Sequence, residues 1–226
     1  MGDPMESLDV RPYAQEDREA VYRIAADTAF FGEPVEQYLD DRRLFCDAFY
    51  GYYTDVEPEH GWVATANGAV AGFLMGCWDT KGRGNKFVRN ILPDVARNVF
   101  AGKYRIGRRT WLYAWGLLKQ TASGLIRKDP HPLDLTSYPA HLHINIDSGY
   151  RGRGLGRRLM EAYIEQLRNN GIPGVHLATT DLNAAACKLY ESMGFKLLTA
   201  YPSDILNYVL EYPVEDRIYV MRLDSN

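Results

Sequence analysis

Cysteine is scarce in this chain of 226 residues, and long apolar runs are absent from it. The three cysteines, Cys46, Cys77 and Cys187, are scattered and form no C-x-x-C pair, so they favour free thiols over a disulfide framework or a metal site. No run of about 18 apolar residues could form a membrane-spanning helix, and the N-terminus lacks the apolar core of a signal peptide. These absences lead us to expect a cytoplasmic protein with no metal and no membrane partner.

Acidic residues are scarce in one part of the chain. The segment 79–128 holds 12 Lys or Arg against two Asp, a net charge of +10, while the remainder carries −13. Because Trp111, Tyr113 and Trp115 are interleaved with this charge, the segment could hold a nucleic acid, an acidic substrate or a phosphate group. The alternative is a helix that packs Trp111, Trp115 and Leu118 inward and leaves its arginines in solvent. We favour that helix and do not expect a nucleic-acid partner.

Apolar periodicity divides the chain into strands and helices. Asn67-Gly68 lies between two apolar runs, which is the strongest short-range signal for a β-hairpin. The long connection 81–135 would be unusual without structure of its own, so we expect a helical insertion there. The predicted strands are 8–12, 61–66, 69–78, 138–146, 175–178, 195–201 and 216–223. The predicted helices are 14–31, 34–53, 88–101, 105–126, 154–170 and 181–193.

The segment 141–156, HLHINIDSGYRGRGLG, has the pattern of a strand, a tight turn and a helix start. Polar and apolar residues alternate up to Ile146, so the apolar ones share one face of the strand. The first turn of a helix has unpaired N–H groups and the positive end of the helix dipole, so a phosphate can bind there. Gly154 and Gly156 lack a Cβ, which lets the oxygens of a ligand approach the backbone. The segment is a candidate anion site, although a helix start without a ligand fits the same pattern.

Two common phosphate loops do not fit this segment. The dinucleotide fingerprint needs glycine where this chain has Arg157, and no G-x-x-x-x-G-K-[ST] occurs. The pattern R-x-x-G-x-G does fit, at Arg151, Gly154 and Gly156, and N-x-x-A-x-x-L-Y-x-x-x-G-F follows it at 183–195. In this order and at this distance, the two motifs resemble those of the GNAT superfamily of acetyl-CoA-dependent N-acetyltransferases.

The resemblance implies a fold and a cosubstrate. It implies a GNAT-like α/β fold across 8–223, with a mixed, mostly antiparallel sheet of six or seven strands, helices on both faces, and 81–135 as a basic helical insertion. In the family the first motif cradles the pyrophosphate of coenzyme A, and an Asn and a Tyr of the second motif meet the cofactor. Acetyl-CoA is therefore the expected cosubstrate. The residues expected to bind it are Asn145, Ile146, Arg151, Gly152, Arg153, Gly154, Leu155, Gly156, Asn183 and Tyr190.

His141 and His143 are candidates for the general base. An amine that attacks a thioester must lose a proton, and imidazole titrates near neutrality. The two residues are two apart on one strand, so their side chains point to the same face. The strand is similar to that of the arylalkylamine N-acetyltransferases, where two histidines relay the proton of the amine through water. Two half-buried histidines without a chemical role, or a zinc site that lacks a third ligand, are the alternatives.

Tyr190 and Asn183 are the candidates of the second motif. Many GNAT enzymes keep a tyrosine near the cofactor sulfur at the position of Tyr190. A phenol with a reference pKa of about 10 is protonated at neutral pH and can donate to a leaving thiolate. An aromatic core residue on a helix is the alternative. Asn183 can bind pantetheine or cap a helix, and the two roles can coexist.

Several residues are secondary candidates. Asp147 and Glu33 are alternative bases. The aromatic residues of 34–53 are expected to pack the core, and some of them could touch the acceptor. The three other histidines have no supporting pattern and are expected on the surface: His60, His131 and His176.

The sequence thus predicts transfer of an acetyl group from acetyl-CoA to a primary amine of a small molecule or peptide, by direct attack. A second hypothesis is a catalytically silent GNAT-like module that binds a protein or nucleic acid through its basic insertion. The identity of the amine and the oligomeric state, a homodimer included, stay open at this stage.

Overall fold

A computed structural model describes residues 7–30, 32–126, 132–203 and 213–223, without the side chains of 120–126. The strands are β1 (Leu8–Pro12), β2 (Gly61–Ala66), β3 (Ala69–Cys77), β4 (Ala140–Ile146), β5 (Gly174–Thr180), β6 (Lys196–Pro202) and β7 (Glu215–Arg222). The helices are α1 (Arg18–Asp27), α2 (Arg42–Phe49), α3 (Gly51–Asp55), α4 (Thr80–Asn90), α5 (Leu92–Phe100), α6 (Arg108–Ile126), α7 (Leu155–Asn169) and α8 (Ala184–Ser192).

The strands form one seven-stranded sheet in the order β1-β2-β3-β4-β5-β7-β6. All neighbouring pairs are antiparallel except β4 and β5, which are parallel. Parallel neighbours need a crossover, and α7 supplies it between these two strands. The predicted α/β fold with a mostly antiparallel sheet is confirmed.

Two apolar cores lie on opposite faces of the sheet. Helix α7 presents Leu155, Leu159, Tyr163 and Leu167 to one face at intervals of four residues, and all four are buried. The other core contains aromatic residues of α2 and α3 with side chains of α1 and β3. Its largest fully buried members are Tyr52, Tyr53, Phe73, Ile24 and Met75. The alternation along β4 therefore separates its apolar residues from its histidines.

The β-hairpin is where the sequence predicts it. Asn67 and Gly68 both have positive φ, 50° and 83°, as the two-residue turn between β2 and β3 requires. Among the described residues, no helix is long and apolar enough to cross a membrane.

The insertion differs from its prediction. A first helix, α4, begins at Thr80 in a stretch where we predicted none before 88. It contains Gly82 and Gly84, which weaken helix propensity, and it buries no residue, so its sequence has no apolar stripe to detect. The side chain of Asp79 caps this helix by accepting a hydrogen bond from the N–H of Gly82 at 2.9 Å.

The inward packing predicted for the tryptophans of α6 is wrong. Trp111 and Trp115 are 70% and 57% exposed, and Leu118 is 59% exposed. Within 108–119, the part of α6 whose side chains are described, Tyr113 and Gly116 are the buried residues instead. Tyr113 packs edge to face on Phe30 and Phe49, so the inner face of α6 is centred on the tyrosine.

Strands β4 and β5 part soon after they meet. They pair only at Ala140 with Val175 and at His141 with His176, although β4 continues to Ile146 and β5 to Thr180. The hydroxyl of Tyr163 lies 3.0 Å from the carbonyl oxygen of His141 and 3.2 Å from that of Cys77, and donates between them. Tyr163 thus fixes β3 and β4 at the level where the opening begins.

Loss of the Tyr163 hydroxyl should destabilise this junction. We expect Tyr163→Phe to lower the free energy of unfolding by about 1 kcal/mol, because it removes a buried hydrogen bond between α7 and the sheet. Tyr13→Phe is the matched control, since the Tyr13 hydroxyl is buried with no partner among the described residues. Urea denaturation of both variants measures the difference, and an equal loss in the two would refute the role of Tyr163.

Candidate active site

The opening between β4 and β5 contains two adjoining cavities. The first, which we call the turn cavity, has a volume of about 430 Å³ and is lined by α8 and by the turn 150–157 without Arg153. The second, the histidine cavity, has a volume of about 300 Å³. Thr28, Asn145, Asn183 and Tyr190 line both cavities, so the two form one groove along the parted strands.

The wall of the turn cavity is built as an anion cradle. Gly152 and Gly154 have φ of 75° and 78°, and a Cβ built on either would meet nothing within 4 Å. The left-handed conformation favours glycine, and the open space lets a ligand reach the backbone. Gly154 is the N-cap of α7, so the unpaired N–H groups of the first turn face the same region. These features fit a phosphate group.

The structure brings the predicted cofactor residues together. Asn145, Ile146, Arg151, Gly152, Gly154, Leu155, Gly156, Asn183 and Tyr190 all line the turn cavity. Arg153 does not line it, and its guanidinium lies 5.1 Å from the centre of the Tyr150 ring. Asn183 also caps α8, because its side chain accepts a hydrogen bond from the N–H of Ala186 at 3.4 Å.

The side chain of Asn145 is held by Thr28 and Tyr50, the residues that directly follow α1 and α2. Its amide nitrogen donates to the hydroxyl and carbonyl oxygens of Thr28 at 2.8 and 3.1 Å, and its oxygen accepts from the Tyr50 hydroxyl at 3.2 Å. Its amide group is thus engaged within the protein.

Tyr53 joins the two histidines of β4. Its hydroxyl oxygen lies 2.8 Å from Nε2 of His141 and 3.0 Å from Nε2 of His143. His143 lines the histidine cavity and is exposed to it, whereas His141 is buried behind it and only 8% exposed. Only His143 of the pair can therefore meet a molecule in the groove directly.

The environment keeps both imidazoles neutral. Loss of hydration lowers the pKa of His143 to about 4, although its edge is open to the cavity, and the positive charge of Arg83 acts in the same direction. Burial lowers the pKa of His141 well below its usual value, with smaller contributions from His143, His176 and Arg83. A neutral imidazole has a lone pair, so His143 can accept a proton at neutral pH.

Tyr190 lies where the two cavities meet. Its side chain is 5% exposed, and its ring packs near Phe195 and Tyr219, with ring centres 6.1 and 5.9 Å away. Burial raises the pKa of its hydroxyl above the ordinary value, and Cys187 adds to the effect. The phenol is protonated at neutral pH and can donate a proton into the groove.

The secondary carboxylates are less suited to act as bases. Asp147 accepts a hydrogen bond from Arg23 at 2.9 Å. Although burial works in the opposite direction, this bond and one from the N–H of Gly149 lower the pKa of Asp147. Glu33 is exposed and accepts a hydrogen bond from Gln37 at 3.1 Å.

Two of the histidines expected on the surface are buried, so that prediction is wrong for them. His176 is 8% exposed and lies beside His141, with the ring centres 5.6 Å apart. His60, also 8% exposed, stacks on Trp78 at 4.0 Å. His131 lies outside the described residues. Among the described residues no group of histidine, cysteine and acidic side chains could hold a metal ion.

Sequence reasoning missed several residues of the groove. Tyr53 counted only as one of several core aromatics, and Thr28 and Thr80 carried no signal. All three form hydrogen bonds with residues of β4 from distant parts of the sequence, so only the packing of the helices on the sheet reveals them.

Comparison with known proteins agrees with this architecture. The acetyltransferase (GNAT) family matches residues 109–195, which include the turn, α7, β5 and α8. The crystal structure of SsHAT superposes with a TM-score of 0.71 at 28% sequence identity, covering 97% of this chain and 100% of that chain. The structure of yncA from Salmonella typhimurium with its cofactor acetyl-CoA shares the fold, with a TM-score of 0.56 at 14% identity over 97% of this chain and 95% of that one. The segment 109–195 therefore matches the GNAT family that the two motifs resemble, and the chain shares the fold of these acetyltransferase structures.

Curated relatives match shorter segments. A segment of 57 residues is 42% identical to the ribosomal protein bS18 alanine N-acetyltransferase of Escherichia coli K12, and covers 25% of this chain and 38% of that protein. A segment of 100 residues is 30% identical to the probable N-acetyltransferase family 8 member 5 of Mus musculus, and covers 44% of this chain and 43% of that protein. The chain thus spans less than half the length of these two relatives.

The pKa of His143 can be measured by NMR titration. We expect its ring signals to titrate well below the reference value of about 6.5, because burial and Arg83 disfavour the charged form. The unfolded chain then binds more protons in the interval below pH 6.5, so this residue lowers stability as the pH falls through that interval. His143→Gln assigns the signals by removing one set, and titration at or above 6.5 would contradict the environment described here.

Proposed function

We propose that this protein transfers an acetyl group from acetyl-CoA to a primary amine of a small molecule or peptide, in the cytoplasm. One observation carries the proposal: a neutral histidine, His143, lies in the same open groove as the glycine turn at the start of α7. The groove thus combines an anion cradle with a group that can accept a proton. We also propose that 8–223 form one domain with 81–135 inserted in it.

The turn residues would hold coenzyme A. The N–H groups from Gly152 to Gly156 would bind the pyrophosphate, with Arg151 and Arg153 adding positive charge. Ile146 at the end of β4 and Asn183 at the start of α8 would flank the pantetheine. Acetyl-CoA supplies an acetyl group that its thioester activates toward attack. The family fold and the open space above the glycines support this assignment.

The proton transfers fall to residues of the groove. His143 would take a proton from the amine, with Tyr53 and His141 behind it, and Tyr190 would give a proton to the sulfur that leaves. A covalent enzyme intermediate is not required, and Cys187 is a buried packing residue of α8.

The residues that line the histidine cavity would contact the acceptor. Phe30, Tyr50 and Tyr113 supply aromatic surface, and Asp216 supplies a carboxylate that can attract a cationic amine. The name of the Escherichia coli relative, a ribosomal protein alanine N-acetyltransferase, supports a peptide amine as an acceptor as well.

Removal of the His143 imidazole should impair the chemical step. We expect His143→Gln to lower kcat/KM by about a hundredfold or more, because general-base catalysis typically contributes this much. His141→Gln should cost less, since His141 does not line the cavity. Release of free coenzyme A, measured with a thiol reagent and a panel of amines, gives the rates.

Two outcomes would contradict the assignment of the base. One is a His143→Gln variant that keeps the wild-type rate. The other is a collapse of activity in Asp147→Asn or Glu33→Gln, which would make a carboxylate the base. Inactivity of the wild-type protein toward every amine would reject the transferase itself and favour a silent acyl-CoA-binding module.

A methyl group at Gly154 should obstruct the cofactor. We expect Gly154→Ala to weaken coenzyme A binding by tenfold or more in calorimetry, because the Cβ occupies the open space of the cradle and strains a left-handed residue. Gly68→Ala is the matched control, with a φ of 83° and equally open surroundings in the distant hairpin. Equal affinities in the two variants would exclude the cradle as the pyrophosphate site.

A further inference from the structure

The first helix of the insertion contributes one residue to the histidine pair. Thr80 is the first residue of α4, and its hydroxyl oxygen lies 2.6 Å from Nδ1 of His141. The same oxygen lies 2.7 Å from the carbonyl oxygen of Pro139, which also accepts the N–H of Thr80 at 2.9 Å. Thr80, His141, Tyr53 and His143 therefore form one chain of hydrogen bonds that ends at a backbone carbonyl.

The Pro139 carbonyl group determines which atom donates in each hydrogen bond of this series. A carbonyl oxygen can only accept, so the Thr80 hydroxyl donates to Pro139, and its oxygen accepts the proton on Nδ1 of His141. A neutral imidazole carries one N–H, so Nε2 of His141 has the lone pair and accepts the Tyr53 hydroxyl at 2.8 Å.

The hydrogen bonds of Tyr53 fix the tautomer of His143, which faces the cavity. The Tyr53 hydroxyl has only one proton, which it gives to His141, so its oxygen accepts the Nε2 proton of His143 at 3.0 Å. The lone pair of neutral His143 is then on Nδ1. Among the described residues no hydrogen-bond partner is found for this Nδ1 atom.

We propose that Thr80 is a positioning residue that sets the tautomers of both histidines, so that the proton-accepting atom of the site is Nδ1 of His143. The catalytic part of this inference rests on the proposed function, whereas the tautomers do not. As the amine nitrogen bonds to the acetyl carbon and the C–S bond breaks, Nδ1 of His143 takes one amine proton and Tyr190 gives its proton to the sulfur. Water in the groove then returns His143 and Tyr190 to their starting forms.

The series of hydrogen bonds ends at a backbone carbonyl group, and this limits where the captured proton can leave. His143 could pass its Nε2 proton to Tyr53, Tyr53 its own to His141, and His141 its Nδ1 proton to Thr80. The last acceptor is the Pro139 carbonyl, from which no proton can move on. Arg83 lies 5.1 Å from the centre of the Tyr53 ring, and Nδ1 of His176 lies 2.9 Å from the Tyr138 carbonyl oxygen. Cys77 and Glu57 are the other described titratable groups that act on the pKa of Tyr53, and both raise it. The captured proton must return through the cavity.

The variant Thr80→Val tests this inference because it keeps the shape of the side chain and removes the hydroxyl. Long-range ¹H–¹⁵N spectra of protein labelled at histidine report which ring nitrogen carries the proton at pH 7.5. We expect His141 to be protonated on Nδ1 and His143 on Nε2 in the wild type. In Thr80→Val we expect both to become mixtures of tautomers, and Thr80→Ser should restore the wild-type pattern.

Kinetics supply the second readout. We expect Thr80→Val to lower kcat by roughly tenfold with an unchanged KM for acetyl-CoA, as for the loss of one orienting hydrogen bond, and Thr80→Ser to restore the rate. A wild-type His143 protonated on Nδ1 would overturn the inference, whether or not the variants fold. The inference would also be overturned if both histidines of the Thr80→Val variant kept the wild-type tautomers. The spectra need no acetyl-CoA, so an inactive wild-type protein with the expected tautomers would reject the proposed function alone.

Discussion

The structure depends on the point at which β4 leaves β5. The parallel pair is held by only two registered residue pairs, the last of them His141 with His176, and the strands then diverge. Paired strands satisfy their backbone groups and leave no room between them, whereas parted strands expose the edge of β4 to a ligand. The opening creates the groove, brings the glycine turn to its end, and places His143 at its wall. The Tyr163 hydroxyl, bound to carbonyl groups of β3 and β4 at this level, holds the point of divergence in place.

The two ends of the groove differ in their electrostatics. At the turn, glycines and the first turn of α7 present N–H groups and arginines suited to an anion. At the histidine cavity, burial and the charge of Arg83 keep the imidazoles neutral. A protonated histidine would bind a phosphate but could not accept a proton from an amine. The aromatic layer of α2 and α3 covers His141, and its Tyr53 hydroxyl is hydrogen-bonded to both histidines, so the packing that stabilises the core also orients the two rings.

Local chemistry made the hairpin and the glycine turn predictable. The hairpin at Asn67-Gly68 and the glycine turn follow from backbone conformations that few residues adopt, and a sequence shows such positions directly. The partners Tyr53, Thr80 and His176 come from other elements, and no periodicity reveals which aromatic or hydroxyl residue will meet a strand across the sheet. Helix α4 escaped prediction because glycines and an exposed surface leave it without a pattern. The orientation of α6 failed for a related reason, since Trp111, Tyr113 and Trp115 offer competing aromatic faces and only packing selects the tyrosine.

A crystal structure of the protein with acetyl-CoA tests the central claim most directly, because it locates the reacting carbon in the groove. The account predicts that the pyrophosphate lies on the N–H groups of 152–156 and that the acetyl group lies between β4 and β5. It further predicts that Nδ1 of His143 faces the acetyl carbon from the acceptor side, within reach of an attacking amine directly or through one water. An acetyl group outside the opening between the strands, or a His143 ring that faces away from it, would contradict the account.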